Sequence, residues 1–568
     1  MKFILSSESN NLLIQNRHSS IFPIKYIVCL STALLTLYSA YIPSIAAVYY
    51  VDAAAGMDNN EGESPKFAWQ TINKVNATHL NPGDKVLFKK SQIWRESLII
   101  PTSGTIDNPV TFGTYGKGEN PIINAADLVA NWTRYQNITF SSSLPIETNR
   151  VFYAGTELVR GSGPDTLETN MWYWEGGSLY VNIGINPNYS QIEAVQRDYA
   201  IQTNGQSNIV IDGLHLKYNN KKDAGVLNFY PGGSSNVKIV NNIIEYGIGD
   251  GIRAEHTGGD NLSVSNNIVR YNKMWGISAG SQLSIGHSYT FNKVYQNGTS
   301  GFLITARKSV FSKNKIYRNP NYSRGDGRPN HGFYMYNYDG GGNSSIIEDN
   351  EVYGFNDQKD GDSALRLSGS NCIVRYNYFH DNDYGMYLID AEQEADGNKI
   401  YYNVFSGINE DHYGLQAEGA TNSKIYNNTF IGSGIIFLRG AHGNSHTNSV
   451  INNVISVGND SGATLQIAPG QQKNLESDNN LFYPDTGKRF MWRGKSVNFT
   501  KWVKRANVDH DSITDNPLFV DSSTLDRDRF SLSQGSPARM AGRFLGLAND
   551  IKGTVVPDDV QPNIGSFQ

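Results

Sequence analysis

The sequence predicts an all-β protein built as one long parallel β-helix with three strands per coil. Two observations carry this. A short phrase centred on asparagine returns at nearly constant spacing, and a strand of fixed pattern follows each return. The phrase reads VNNII around Asn242, SNNIV around Asn267, FNKVY around Asn292, KNKIY around Asn314 and DNEVY around Asn350. It continues as YNYFH at Asn377, YNVFS at Asn403, NNTFI at Asn428, NNVIS at Asn453 and NNLFY at Asn480.

A period near 25 residues is too long for a hairpin and too short for a strand–helix–strand unit. Each period holds three bursts of alternating apolar residues separated by turn residues, so it forms one three-strand coil. Strands flank each asparagine, which is expected at the bend between them. Asparagine tolerates left-handed backbone, and copies one coil apart can bond amide to amide in a ladder. The third strand runs from Gly251, Gly276, Gly301, Gly332, Ala364, Gly385 and Gly414. Strand side chains alternate, so Ile252, Ile277, Phe302, Phe333, Leu365, Met386 and Leu415 should point inward and stack into a continuous core.

The remaining chain divides around this stack. Residues 1–46 read as a cleaved export signal: Arg17 and Lys25 precede an apolar run from Tyr26 to Ile42, which ends at Ser44, Ile45 and Ala46. A retained anchor is the alternative, because the run falls just short of the ~20 residues that span a bilayer. Residues 47–198 form the first coils and a cap with inserted antiparallel strands, rich in aromatic residues around Met171 to Ile183. Residues 199–486 are the regular coils, and 487–568 should lie along the last coils and cover the open sheet edge.

Composition narrows the partners. Of 48 basic and 53 acidic residues, the leader holds Lys2, Arg17, Lys25 and Glu8, which leaves 45 and 52 and a net charge of −7. With no basic stripe, nucleic acid is not expected as a partner. A cleaved leader also leaves no stable membrane association, and one self-completing stack suits a monomer. Cys29 lies in the leader, so Cys372 remains alone and no intrachain disulfide can form.

The asparagine phrase and the strand after it resemble the right-handed parallel β-helix proteins of the pectate-lyase-like superfamily. WQTINKVNATHLNPGDKVLFKKSQIWRE (69–96) with PVTFGTYGKGENPII (109–123) is similar to their opening segment. LFVDSSTLDRDRFSLSQGSPARMAG (518–542) with PNIGSFQ (562–568) is similar to their closing one. The resemblance implies a right-handed helix in a secreted or cell-surface protein that handles a long polysaccharide. Its members include lyases, hydrolases, epimerases and proteins of no known activity. The paired-residue signatures of the chondroitinase-B-like lyases, alginate epimerases and polygalacturonases are missing here, so no catalytic role transfers directly.

Candidate site residues follow from reading outward columns across coils, about 4.8 Å apart. On the third strand the first outward column runs Arg253, Ser278, Leu303, Tyr334, Arg366, Tyr387 and Gln416. Tyr334, Arg366 and Tyr387 are consecutive, with His331 just before the strand and Tyr336 beside it. Two enlarged loops, 319–332 with 338–343 and 356–363, overhang them, and loops on a rigid scaffold often carry specificity.

Eliminating a leaving group from a uronic acid needs a cation on the carboxylate, a base at C5 and an acid for the leaving oxygen. Arg366 suits the first role, His331 or Tyr334 the second, and Tyr336 or Tyr387 the third. Tyr387, Asp390 and Arg307 are the expected substrate contacts. Hydrolysis would use two carboxyl groups instead, from among Asp339, Asp360, Asp362, Asp390 and Glu392. The same acids, with Asp360 and Asp362 in a DGD triplet, are candidate calcium ligands. Arg253, Glu255 and His256, near Asp250 and Asp260, form a rival cluster. A glycan-binding protein without catalysis, using the aromatic face alone, is the remaining class.

Overall fold

The computed structural model describes residues 46–568 except 256–258, 282, 319–328, 337–340, 357–360, 391–394, 410, 458–463, 472, 485–486, 488 and 521–525. The leader reading therefore lies outside the described residues, as do His256, Asp339, Asp360, Glu392 and most of the enlarged loops. No helix among the described residues is long and apolar enough to cross a membrane.

Three parallel sheets wind around one axis. The first and third have 14 strands each and the second has 13. The stack begins at Val48, well before the regular asparagine phrase, and Val48–Val51 pairs in parallel with Lys85–Lys89. One early coil is interrupted. Its first two strands are Val110–Tyr115 and Ile122–Asn124, and its third, Ile201–Gln202, comes only after the strands between Ala126 and Val195. Those inserted strands form a four-stranded and a five-stranded sheet around a separate core that includes Trp132, Trp172 and Leu179. Arg150 docks the insertion on the stack: it is fully buried, grips Glu157 through two nitrogens and donates to the Gly247 carbonyl at 2.9 Å.

The ten asparagines form a single ladder. Each backbone N–H and side-chain amide from Asn242 to Asn453 donates to the Oδ1 of the next asparagine at 2.9–3.1 Å. The left-handed turn falls one residue earlier than expected, on Asn241, Asn266, Phe291, Lys313, Asp349, Tyr376, Tyr402, Asn427, Asn452 and Asn479. The ladder residue must point inward to meet its neighbours, so the residue before it turns the chain. Hence the Asn-Asn pairs: one turns and one bonds.

Inside, Ile252, Ile277, Phe302, Phe333, Leu365, Met386 and Leu415 are fully buried partners in register, continued by Ile435, Leu465 and Phe490. Beyond them Phe490–Trp492 folds back on Lys495–Val497, and Trp502 packs against Phe490 at 5.3 Å. From there the chain returns alongside earlier coils. Ser566 donates to the Asn403 carbonyl, and Asn549 accepts from the Tyr376 hydroxyl.

Candidate active site

The outer face of the third sheet carries the candidate residues, and a local kink decides which ones reach it. At its start the strand sets two successive residues inward. A Cβ on Gly251 would meet Val269 Cγ1 at 2.5 Å, and one on Gly332 would meet Val352 Cγ1 at 2.2 Å. Glycine at the first inward position is thus a steric requirement, and Ala364 marks the one coil among these that takes a methyl. The residue before the glycine then faces outward like the residue three further on. A second outward column results: Asp250, Trp275, Ser300, His331, Ser363, Tyr384 and Tyr413 flank Arg253, Ser278, Leu303, Tyr334, Arg366, Tyr387 and Gln416.

Tyr334, Arg366 and Tyr387 are consecutive partners. The Arg366 guanidinium lies 5.2 Å from the centre of the Tyr334 ring. Its Nε is buried without a hydrogen-bond partner, and no carboxylate among the described residues pairs with it. Other outward arginines are different: Arg270 holds Glu245 at 2.7 Å, Arg375 holds Glu348 at 2.6 Å, and Arg253 holds Asp250 at 3.1 Å. A half-buried guanidinium without a counter-ion is poised for an external anion.

His331 lies under this surface. It is 3% exposed, with Nδ1 2.8 Å from the Ser363 hydroxyl and its ring 5.2 Å from Tyr334. Burial, reinforced by the Arg366 charge, lowers its pKa to about 3, so the imidazole is neutral at ordinary pH. Tyr336 meets the edge of Tyr334 at 5.6 Å. Burial, the Tyr384 hydrogen bond and the Glu418 charge raise the pKa of Tyr387, which stays a phenol. Tyr384 stacks on Tyr387 at 4.5 Å and on His412 at 4.0 Å.

The other two expected contacts sit apart. Asp390 is fully buried and spends both oxygens on the backbone N–H groups of Ala441 and His442, each at 2.8 Å, so it anchors a turn. Arg307 follows the strand end and bridges Ile285 in the next bend, with its Nε also buried and unbonded. Asp362 accepts the Asn330 N–H at 2.6 Å. Among the described residues no three His, Cys, Asp or Glu side chains are grouped to hold a metal ion.

The rival cluster occupies the same face. Asp250 receives Arg253 at 3.1 Å, the Ser278 hydroxyl at 2.6 Å and the Trp275 N–H at 3.2 Å, and Glu255 lies 3.7 Å from Arg253. Complete burial raises the Asp250 pKa to about 6 despite Arg253. Trp275 closes the gap, with its ring 5.9 Å from that of Tyr334. Trp275, Tyr384 and His412 escaped the sequence reading because they lie ahead of the regular alternation. The glycine after the first two was the available signal.

Three parallel sheets joined by a buried asparagine ladder define a right-handed parallel β-helix. The family described as right handed beta helix region matches residues 278–430. The lacto-N-biosidase of Bifidobacterium longum subsp. longum is 35% identical over 91 residues, 15% of this chain and 6% of that protein. An uncharacterized protein of Bacillus subtilis, YwoF, is 26% identical over 30% of this chain and 39% of its own length. The chain thus spans well under half of these curated relatives. Among solved structures, XylC with xylose superposes with a TM-score of 0.48 at 13% identity, covering 91% of this chain and 98% of that one. Pectate lyase Pel9A gives 0.39 at 14%, covering 92% and 97%.

Proposed function

We propose that this chain is a polysaccharide lyase that cleaves a uronate-containing polymer by β-elimination on the outer face of its third sheet. One observation carries the reading: Arg366 is a half-buried guanidinium without a carboxylate partner among the described residues, set between two tyrosines. It receives the uronate carboxylate and neutralises the enolate-like charge that develops when C5 loses its proton. Tyr334, reacting as its phenolate against the guanidinium, takes that proton and becomes the phenol. Tyr387, held as a phenol, gives its proton to the O4 leaving group as the C4–O bond breaks and a C4=C5 double bond forms. His331 is too buried to touch substrate and instead positions Tyr334 from below.

The test is to incubate the full chain with a panel of uronate polymers and follow the ultraviolet absorbance of the unsaturated product. Product from wild type and none from Arg366→Ala supports the reading. Saturated cleavage ends would mean hydrolysis, changed uronate stereochemistry without cleavage would mean epimerisation, and binding without chemistry would mean a glycan-binding protein. On the same reading the chain works as an exported monomer. N-terminal sequencing of extracellular material should then begin at Ala47 or Val48, and an intact Met1 end in membranes would overturn export.

A further inference from the structure

Away from the groove floor at Tyr334 and Arg366, the inserted subdomain turns one face of its five-stranded sheet outward. Strand alternation sets Trp172, Leu179 and Val181 in the subdomain core and leaves Tyr173 and Tyr180 on the opposite side as cross-strand partners. Tyr180 pairs next with Ser141, and Ser141 with Thr133, so the row crosses four strands. Tyr135 is 44% exposed, meets Tyr180 at 5.0 Å with the ring planes at 75°, and donates its hydroxyl to Asp165 at 3.0 Å. Tyr173 makes no ring contact and no side-chain hydrogen bond among the described residues, so its half-exposed ring is open to a ligand. The aliphatic residues of this face, Val159 and Met171, pair at one edge of it. A protein-binding patch would place such residues at its centre. Here phenol rings alternate instead with serine and threonine hydroxyls, which matches a pyranose: a C–H face edged by hydroxyl groups.

Charge narrows the class of glycan. Between Ala126 and Val195 the chain carries seven carboxylates against three arginines and no lysine, a net charge of −4. Arg150 and Arg160 are held by Glu157 and Glu147, and Arg134 lies over the Phe140 ring, its cross-strand partner. No cation stands on the tyrosine face among the described residues, while Glu175 and Asp165 are exposed beside it. Such a surface repels a polyuronate and leaves uncharged hydroxyl-rich chains welcome. From this geometry we propose that Tyr173, Tyr180 and Tyr135 form a binding face for a neutral polysaccharide. The subdomain then tethers the chain to an uncharged polymer while the groove works on an acidic one. The inference does not depend on the role given to Arg366, because the two surfaces share no residue.

The experiment is affinity electrophoresis of the full chain in native gels containing soluble hydroxyethylcellulose, arabinoxylan, galactomannan or galactan, with polygalacturonate as the charged comparison. At least one neutral polymer should retard wild type. Tyr173→Ala and Tyr135→Ala should each weaken that binding ~10-fold, the scale of one lost aromatic contact, with an unchanged far-ultraviolet spectrum, and Tyr173→Phe should keep most of it. Retardation by polygalacturonate should be the same in wild type and Tyr173→Ala. No retardation of wild type by any neutral polymer overturns the proposal, as does wild-type affinity in both alanine variants. Loss of neutral binding in Arg366→Ala would move it to the groove, and loss of polygalacturonate binding in Tyr173→Ala would make the face part of the acidic-polymer site; either result overturns the assignment. Light scattering tests the other occupant: a wild-type dimer that Tyr173→Ala dissolves would make the face a contact between copies and overturn it too.

Discussion

Replacing Asn403 with alanine removes one rung of the ladder, and the cost can be worked from its bonds. The Asn403 side-chain amide donates to the carbonyls of Val374 at 2.9 Å and Tyr401 at 3.2 Å and to Asn428 Oδ1 at 3.0 Å. Its Oδ1 receives the Asn377 N–H at 3.0 Å and side-chain amide at 2.9 Å. After the change the Asn377 side chain keeps the Ile347 and Arg375 carbonyls, but its backbone N–H is left buried without an acceptor. That orphan costs ~1–3 kcal/mol, and the other lost bonds ~0.5–1 kcal/mol each, so the expected loss is ~4 kcal/mol. Urea titration of wild type and Asn403→Ala, followed by tyrosine fluorescence and far-ultraviolet circular dichroism, measures it. Amide hydrogen exchange should show the loss concentrated in the coils of Asn377 to Asn428, because each coil touches only its neighbours. Adding Asn428→Ala should cost less than the sum of the singles by ~1 kcal/mol, since the Asn403–Asn428 bond is lost once. A loss under ~1 kcal/mol for the single change would refute the ladder as a source of stability.

Three further outcomes are expected. Arg366→Ala should lower uronate turnover ~10²–10³-fold with an unchanged unfolding midpoint, and Arg366→Lys should recover part of it; equal loss of stability would make the residue structural. His331 is held near pKa 3 against ~6.5 when unfolded, so its contribution is complete above pH 6.5 and fades as pH falls toward 3, by up to ~4 kcal/mol. Urea midpoints of wild type should therefore fall more steeply from pH 7 to 4 than those of His331→Gln, and parallel curves would contradict the burial. Burial pushes the Cys372 thiol up to about 12, so a disulfide thiol reagent should label it only on unfolding; rapid labelling of the native chain would place it at the surface.

The stack was legible in the sequence because each repeat states the same three facts at once. An inward asparagine, a glycine where two inward residues crowd, and an alternating apolar strand recur together, so one misread coil is corrected by the next. The register of Tyr334, Arg366 and Tyr387 followed directly. Depth was not legible: His331 and Asp390 look like reactive side chains in a string of letters, yet one lies beneath the floor and the other anchors a turn near Ala441. Nor was the return of the C-terminal segment along earlier coils, since contacts such as Ser566 with Asn403 leave no periodic trace. The kinked strand start hid Trp275 and Tyr384, because a strict two-residue alternation counted back from inward Ile277 and Met386 turns them into the core.

Successive rungs of the ladder stand 22 to 36 residues apart in the chain, yet their bonds keep one length. The early coil goes further, pairing Thr111 with Val210 across the whole inserted subdomain. Coil registration is thus independent of contour length. The scaffold works like a bookshelf with fixed pitch, in which any one volume can be thickened at its outer edge without moving those above or below. New recognition loops can be grafted over the groove coil by coil, while the chemistry of the floor stays in alignment.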